Sequence, residues 1–194
     1  MKINTVRFGE LEVNKRDIIN FKDGLLGFDN LSKFFVVDPG DQTLILWLQS
    51  IEAPETAFPI IEPKIFMPSY SVKLLPAELA SLEFEDLSTA SIYSILTIPS
   101  NVTDMSANMK APIIINNKTN YARQIVLQDN KLEVRYPMYL ELKKNIANFS
   151  SDDSTRTKVT MTKPEETVAA PAPTEEAQTE ETAETTAAHT LEKH

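Results

Sequence analysis

The sequence predicts a mainly β domain: a compact antiparallel β-barrel or sandwich-like fold with one or two short helices, followed by a disordered acidic tail. Short β-branched or aromatic segments recur through residues 1–149, separated by prolines and turn residues. Every aromatic residue lies at or before Phe149. Residues 150–194 consist largely of Thr, Ala and Glu, so they lack the large apolar side chains that form a core.

The predicted strands differ in how many of their faces should be buried. Lys131–Tyr136 alternates apolar with charged residues, which is typical of a half-buried antiparallel strand. With Ile113–Ile115 and Tyr121–Leu127 it would form a three-stranded meander. Leu44–Leu48 is continuously apolar, which predicts a strand covered on both faces. Further strands are predicted at Ile3–Phe8, Ile18–Phe21, Phe34–Val37, Ala57–Ile61 and Ile92–Ile98.

Two segments have helical patterns. Proline is tolerated in the first turn of a helix, and leucines follow Pro76 at helical spacing, so Pro76–Phe84 is predicted to be a short helix. In Met138–Phe149, Leu142 and Ile146 lie on one stripe with the final phenylalanine, while charged residues occupy the other side. This pattern predicts a second helix that packs on the domain along one face.

The composition excludes several classes of function. The chain has no cysteine, and both histidines, His189 and His194, lie in the tail. The predicted domain therefore cannot hold a Ser-His-Asp or Cys-His nucleophilic site or the usual zinc ligands. Neighbouring carboxylates such as Glu52 and Glu55 do not by themselves make a catalytic pair. We expect no enzyme activity, no cofactor and no metal.

Charge and hydropathy restrict the partners. Residues 1–150 contain 18 acidic against 15 basic residues, and residues 151–194 contain 10 against 4. Neither part has the basic field that nucleic-acid binding requires. The N-terminus has no apolar segment of a signal peptide, and nowhere do 18 apolar residues run together. These observations favour a cytoplasmic protein that binds neither membrane nor nucleic acid. The acidic tail fits a solubilising extension, or a lure that competes for a basic surface of a partner.

Two segments stand out within the predicted domain. Asp23–Phe28, DGLLGF, lacks the Lys-Ser/Thr that follows the glycines of a phosphate-binding loop, so it predicts a tight turn that packs Leu25, Leu26 and Phe28. Trp47–Tyr70 mixes aromatic residues with four prolines, which indicates edge or rim backbone. That rim could receive a strand or helix of a partner, or be a loop that packs under itself. Its candidate contact residues are Gln49, Glu52, Phe58, Glu62, Phe66 and Tyr70.

Taken in order, these motifs resemble the FliW family of bacterial flagellar assembly factors. The resemblance lies in DGLLGF (Asp23–Phe28), WLQS (Trp47–Ser50) and AF (Ala57–Phe58), and then in the proline-rich stretch to Tyr70, NMKAPIIIN (Asn108–Asn116) and RQIVL (Arg123–Leu127). It covers roughly residues 1–146. Met109 stands where leucine is commoner in the family, a change that conserves side-chain volume. The tail lies outside the pattern.

The resemblance implies a small β-barrel-like fold and a regulatory role without catalysis. FliW-like proteins bind newly made flagellin in the cytoplasm. They also bind CsrA, a basic, homodimeric RNA-binding repressor of flagellin translation, and inhibit it allosterically and non-competitively. When flagellin accumulates it occupies FliW, and CsrA then stops synthesis. We expect the chain to be a monomer on its own, with the CsrA homodimer and flagellin as its partners.

The remaining candidate contact residues depend on this resemblance. Four acidic residues could face the basic CsrA and repel RNA, or simply form the solvated end of a helix: Glu78, Glu83, Glu85 and Asp86. Three residues match the family's N-x-K-A-P-x-x-x-N positions and could contact a partner or fix backbone turns: Asn108, Lys110 and Asn116. Gly24, Gly27, Phe28 and Trp47 are assigned to folding.

Three other functions compete with this interpretation. The chain could be a dedicated chaperone that protects flagellin and never touches an RNA regulator. It could be an enzyme on a β scaffold that acts on carbohydrate or peptide, which would need two carboxylates converging in a cleft. It could also be an acidic mimic of RNA in which the tail carries the activity, and removal of residues 151–194 would then abolish function.

Overall fold

The computed structural model describes residues 1–41, 43–85, 87–149 and 159–160, with the backbone alone over 145–149 and 159–160. The strands are β1 (Lys2–Thr5), β2 (Gly9–Glu12), β3 (Ile19–Phe21), β4 (Lys33–Asp38), β5 (Leu46–Ser50), β6 (Ala57–Ile61), β7 (Ala90–Thr97), β8 (Ser106–Ala107), β9 (Ile113–Asn116), β10 (Tyr121–Gln124), β11 (Tyr136–Pro137) and β12 (Val159–Thr160). The helices are α1 (Pro76–Ser81) and α2 (Tyr139–Phe149).

Seven strands close into a barrel. The ring runs β3, β4, β5, β6, β7, β9 and β10, and the pairing of β10 with β3 closes it. All of its pairs are antiparallel except β3 with β10. An odd number of strands cannot alternate direction all the way around, so a closed ring of seven must contain a parallel pair. The predicted mainly β, barrel-like fold is confirmed, with this one parallel pair as the departure.

The barrel has one filled end and one open end. We call the end that carries the β3–β4 and β5–β6 connections the turn end, since Phe34 at the start of β4 lies opposite Ser50 at the end of β5. Leu25 and Leu31 of the β3–β4 connection belong to the interior cluster and fill this end. The interior otherwise consists of the inward residues of the seven strands, led by Ile19, Phe21, Phe34, Leu46, Leu48, Ile60, Ile113 and Ile115. At the opposite end, the open end, a cavity enters the barrel.

Two layers cover the outside of the barrel. The β1–β2 hairpin packs Ile3 and Leu11 against Phe35 and Val37, the outward residues of β4. Trp47 lies in the same layer, so β5 is covered on both faces as its apolar sequence predicts. A larger cluster covers β6, β7 and β9 and includes residues of both helices, among them Leu79 of α1 and Leu142 of α2.

The predicted strand Lys131–Tyr136 is wrong, because only Tyr136–Pro137 forms a short strand, β11, which pairs with β8. Backbone and side-chain oxygens of Asp129 accept hydrogen bonds from Leu132 and Lys131, and such local turns compete with a β ladder. The apolar alternation is only partly used, because Val134 is 59% exposed while Tyr136 packs on the core.

Other predicted elements agree with the structure apart from their ends. The strand predicted at Leu44–Leu48 starts later, because Leu44 has a φ of 63° and cannot continue a strand. The helix predicted to reach Phe84 ends at Ser81, and Glu83 after it has a φ of 57°. The strand predicted at Ile3–Phe8 ends at Thr5 and turns back into β2.

The predicted disordered tail lies outside the described residues apart from Val159–Thr160, which form β12. This short strand pairs in parallel with β4, Val159 opposite Val37 and Thr160 opposite Asp38. The domain boundary predicted at residue 149 stays a prediction.

Candidate functional site

An apolar patch is exposed at the turn end of the barrel. Gly24 and Gly27 have φ values of 68° and 83°, and they bend the DGLLGF turn so that its apolar residues point in different directions. Leu25 is buried at 1% exposure, whereas Leu26 is 57% and Phe28 is 38% exposed. The Leu26 N–H donates to Oε1 of Gln124 at 3.1 Å, which holds the turn beside the end of β10. The prediction that this turn packs Leu26 into the fold is wrong.

Phe58 extends this patch and ties it to the core. Its ring makes an edge contact with Phe28, with 4.9 Å between ring centroids. On its other side it contacts Phe34, which is fully buried in the barrel, at 6.3 Å. We call Leu26, Phe28 and Phe58 the turn-end patch. Because Phe58 packs on the buried Phe34 ring and Phe28 packs on Phe58, two members of this patch are already placed before a partner binds, which lowers the cost of ordering them.

Two other predicted contact residues at this end hold the backbone. Gln49 is fully buried, and its Nε2 donates to the carbonyls of Pro54 and Thr56 at 3.2 and 3.0 Å. The Glu52 carboxylate accepts from the N–H groups of Ser32 and Lys33, at 2.6 and 3.0 Å. Burial raises the pKa of Glu52, but these bonds and one from the Ser32 hydroxyl outweigh it, so the pKa is lowered overall. Both residues fix the loops that carry the patch.

Phe66 and Tyr70 lie in the core and not on a rim. Each is 3% exposed. The Phe66 ring stacks on Tyr136 with 6.1 Å between centroids. Tyr70 donates its hydroxyl to the carbonyl of Met109 at 2.8 Å, and burial raises its pKa. At Phe66 and Tyr70 the proline-rich segment is therefore a loop that packs under itself, and not a partner-binding rim. These two side chains cannot contact a partner in this conformation.

The described members of the predicted acidic patch have different surroundings. Within α1, Glu78 turns back and accepts from the N–H of Leu75 at 2.7 Å, so it serves as a helix cap. Glu83 and Glu85 are exposed beyond the helix, and Lys22 lies 3.6 Å from Glu83. Asp86 lies outside the described residues. We call Glu83 and Glu85 the acidic pair.

Two of the three NMKAPIIIN residues fix turns. Asn108 accepts from the N–H of Ala111 at 3.0 Å. Asn116 is 1% exposed, and its side-chain amide donates to the carbonyls of Leu82 and Glu83 at 2.9 and 3.1 Å, which anchors the chain after α1 to β9. Lys110 is half-buried, and its carbonyl accepts from Leu127.

The open end of the barrel contains a cavity of about 670 Å³. Its walls include the inward apolar residues Ile19, Val36 and Ile115 together with Tyr93, and Glu62 lies at its rim. Of the predicted contact residues, Glu62 thus lies at the opposite end from Phe58. Within the described part of the chain, no group of histidine, cysteine, aspartate and glutamate side chains is placed to hold a metal ion. None of the described helices has the length and apolar character needed to span a membrane.

Comparison with known proteins gives the family of this fold. The family model described as FliW protein matches residues 2–138, which is more than half of the chain. The chain belongs to the FliW family. A flagellar assembly factor FliW from Bdellovibrio bacteriovorus is 42% identical over 146 residues, covering 75% of this chain and 83% of that protein. One from Thermoanaerobacter pseudethanolicus is 37% identical over 149 residues, covering 76% of this chain and 99% of that protein.

A solved FliW structure shares the architecture. The crystal structure of a flagellar assembly factor FliW superimposes with a TM-score of 0.67 at 29% sequence identity. The superposition covers 71% of this chain and 96% of that one. About a quarter of the present chain therefore has no counterpart in that FliW structure or in the Thermoanaerobacter FliW. The FliW match of the family model ends at residue 138, so the acidic tail lies beyond it.

The exposure of Leu26 and Phe28 was missed by sequence reasoning, which assigned both to folding. A signal was present in the motif itself. Turns run over the protein surface, so three large apolar side chains carried on one turn are a signal of surface exposure. The sequence alone does not say which of Leu25, Leu26 and Phe28 faces solvent.

Proposed function

We propose that the chain is a non-enzymatic flagellar assembly factor that binds flagellin and the CsrA homodimer in the cytoplasm. It inhibits CsrA allosterically and non-competitively, and so relieves the repression of flagellin translation. Membership of the FliW family carries the proposal, because relatives that match most of the chain are named flagellar assembly factors. The two kinds of exposed surface on the barrel support it, since one suits an apolar partner and the other a basic one.

The turn-end patch is the proposed contact for flagellin. Exposed aromatic and aliphatic side chains held on a packed scaffold are the usual anchors of protein interfaces. Leu26 and Phe28 have this character, and Phe58 connects them to the buried Phe34 ring. Subunits of permanent assemblies generally associate through apolar surface that is exposed before assembly, so an apolar patch of this kind would suit a flagellin subunit.

The acidic pair is the proposed contact for CsrA. Carboxylates near a basic RNA-binding protein attract it during encounter and lower the local potential that phosphates need. Glu83 and Glu85 project beyond α1, and the buried Asn116 side chain holds the backbone of Glu83 in place. The neighbouring Lys22 offsets part of the charge of Glu83, so the proposed attraction rests on the two described carboxylates of Glu83 and Glu85.

A charge-reversal pair tests the CsrA contact. The double variant Glu83→Lys/Glu85→Lys should weaken CsrA affinity about 3- to 30-fold at low salt, with less effect at high salt. The matched control, Glu12→Lys/Glu133→Lys, changes the net charge equally at exposed positions elsewhere and should leave the affinity within about twofold. Calorimetric titration with purified CsrA measures both. Equal weakening by the two variants would show that only net charge matters and would remove the acidic pair from the proposal.

The second candidate function is a dedicated flagellin chaperone without any role in control of an RNA regulator. The turn-end patch favours this alternative as much as it favours the first. A pull-down of purified CsrA and of flagellin with this chain separates the two functions. A dedicated chaperone would bind flagellin and would not bind CsrA. The variant Leu26→Ser/Phe28→Ser should lose flagellin and keep CsrA under the main proposal, since the patch and the acidic pair are different surfaces.

A further inference from the structure

The seam between β3 and β4 opens toward the open end of the barrel. β3 pairs with β4 only at Lys33 and Phe34, because the chain before Ile19 forms a 3-10 turn over Lys15–Asp17 and does not continue the strand. The cavity at this end has Ile19 of β3 and Val36 of β4 in its walls, so it lies beside the place where the two strands separate. Along the second half of β4, β3 therefore does not continue the barrel wall.

Every second residue of β4 has its backbone hydrogen-bonding groups on the side of this seam. The N–H of Phe21 donates to the carbonyl of Ser32, on the β3 side, whereas the N–H of Ile51 donates to the carbonyl of Lys33, on the β5 side. The backbone N–H and C=O groups of successive residues in a strand point to opposite sides. Those of Val36 and Asp38 therefore point toward the seam, and those of Val37 point toward β5. The seam thus offers a short row of strand-pairing groups beside an apolar cavity.

The chain supplies a strand for this position. Val159 lies opposite Val37 in a parallel register, the arrangement in which its N–H and C=O bond the carbonyl of Val36 and the N–H of Asp38. The surrounding residues, 158–162, read KVTMT, in which Val159 and two threonines are β-branched. Residues 150–158 can span about 30 Å, enough to cross a small domain from the end of α2.

We propose that the β3–β4 seam is a strand-docking site whose occupant is the chain's own segment around Val159–Thr160. The site recognises an extended, β-prone polypeptide through main-chain hydrogen bonds, and the tail segment completes the barrel wall beside the cavity. This inference goes beyond the proposed function, because it gives the tail a structural target on the domain. A protein that docks at the open end would have to displace this strand first.

Amide hydrogen exchange by NMR on the full chain tests the proposal. In the unmodified chain the Asp38 amide should exchange slowly, and Val159→Pro, which removes the donor to Val36 and disturbs the strand, should speed it at least about fivefold. Val168→Pro is the matched control, the same substitution nine residues further along the tail, and should leave Asp38 unchanged. The Val37 amide faces β5 and should stay slow in all three proteins, which reports that the barrel is intact.

Addition of a peptide of residues 155–166 to the Val159→Pro protein should slow the Asp38 amide again in a saturable manner. The proposal is overturned if Asp38 exchanges at the same rate with and without Val159→Pro. It is also overturned if Asp38 becomes protected only when flagellin or CsrA is added, because the seam would then be a site for a partner and not for the tail.

Discussion

The DGLLGF turn gives a prediction in which two substitutions of the same kind have different outcomes. Gly24 and Gly27 both have positive φ, at 68° and 83°, so alanine at either position meets the same backbone penalty. Their surroundings differ. A Cβ built on Gly24 would lie 2.7 Å from Cα of Asp29 and 2.7 Å from the carbonyl oxygen of Phe28, whereas a Cβ on Gly27 has no heavy atom within 4 Å.

The expected magnitudes follow from these contacts. A Cβ in the left-handed region costs about 1 to 2 kcal/mol. The loss of unfolded-state freedom on replacing glycine returns about 0.4 to 1 kcal/mol. Gly27→Ala should therefore destabilise the domain by about 0 to 1.6 kcal/mol. At Gly24 the clash is with backbone, which cannot rotate away, and overpacking of that kind adds about 1 to 3 kcal/mol. Gly24→Ala should thus cost about 1 to 4.6 kcal/mol, which is more than Gly27→Ala by the overpacking cost of about 1 to 3 kcal/mol.

Urea unfolding of the three proteins measures the difference directly. The free energy of unfolding should fall in the order unmodified chain, Gly27→Ala, Gly24→Ala, with unchanged dependence on urea concentration. Since Leu26 and Phe28 flank Gly27, Gly27→Ala also serves as a control that leaves the turn-end patch in place. Equal losses at the two glycines would contradict this prediction, because they would mean that the close approach of Gly24 to Asp29 does not set the shape of the turn.

Three further substitutions probe the supports of the proposed surfaces. Tyr70→Phe removes the buried hydrogen bond to Met109 and should cost about 1 to 2 kcal/mol in urea unfolding, with little change in partner binding. Asn116→Ala removes the side-chain donor to the carbonyls of Leu82 and Glu83. It should destabilise the domain by about 1 to 3 kcal/mol and should also weaken CsrA binding. Glu52→Gln should cost about 1 kcal/mol at pH 7. The folded-state pKa of Glu52 is lowered, so the ionised carboxylate stabilises the fold above its ordinary pKa of 4.5, and this stabilisation is lost as pH falls through the folded-state pKa. The difference in free energy of unfolding between Glu52→Gln and the unmodified chain should therefore be smaller at pH 3.5 than at pH 7. A gap that is constant with pH would contradict this assignment.

Much of the fold could be predicted from the sequence because many strands carry their own local signal. Ala57–Ile61 was predicted with the bounds that the structure has, and the apolar run around Trp47 correctly indicated a strand covered on both faces. The closure of the barrel could not be predicted in this way. The pairing of β3 with β10 joins Asn20 to Tyr121, and no local pattern in either segment specifies a partner a hundred residues away.

Lys131–Tyr136 shows the opposite case, in which a strong local pattern is overruled. Its alternation is as regular as that of a strand, but Asp129 forms a turn with the residues that follow it. A strand also needs a neighbour, and β8 offers only Ser106–Ala107 to pair with the end of the segment. The local hydrogen bonds to Asp129 and the short neighbouring strand β8 decide the structure of this segment, and its alternation of apolar and charged residues does not.

The candidate surfaces were harder to predict than the fold, for a physical reason. Aromatic and polar residues in a proline-rich segment can either contact a partner or hold the loop, and the two uses look alike in sequence. Phe66, Tyr70 and Gln49 turned out to be buried, whereas Phe58 is the residue of that segment that reaches an exposed patch. Exposure depends on which strands close the barrel, so the surface could be assigned only after the fold was known.

The central claim, that this barrel acts by docking onto flagellin and CsrA through two different surfaces, is tested most directly by titrating the purified full chain with each protein. The claim predicts saturable binding to both, loss of flagellin alone in Leu26→Ser/Phe28→Ser, and weakened CsrA binding alone in Glu83→Lys/Glu85→Lys. Binding of neither protein by the unmodified chain would contradict it.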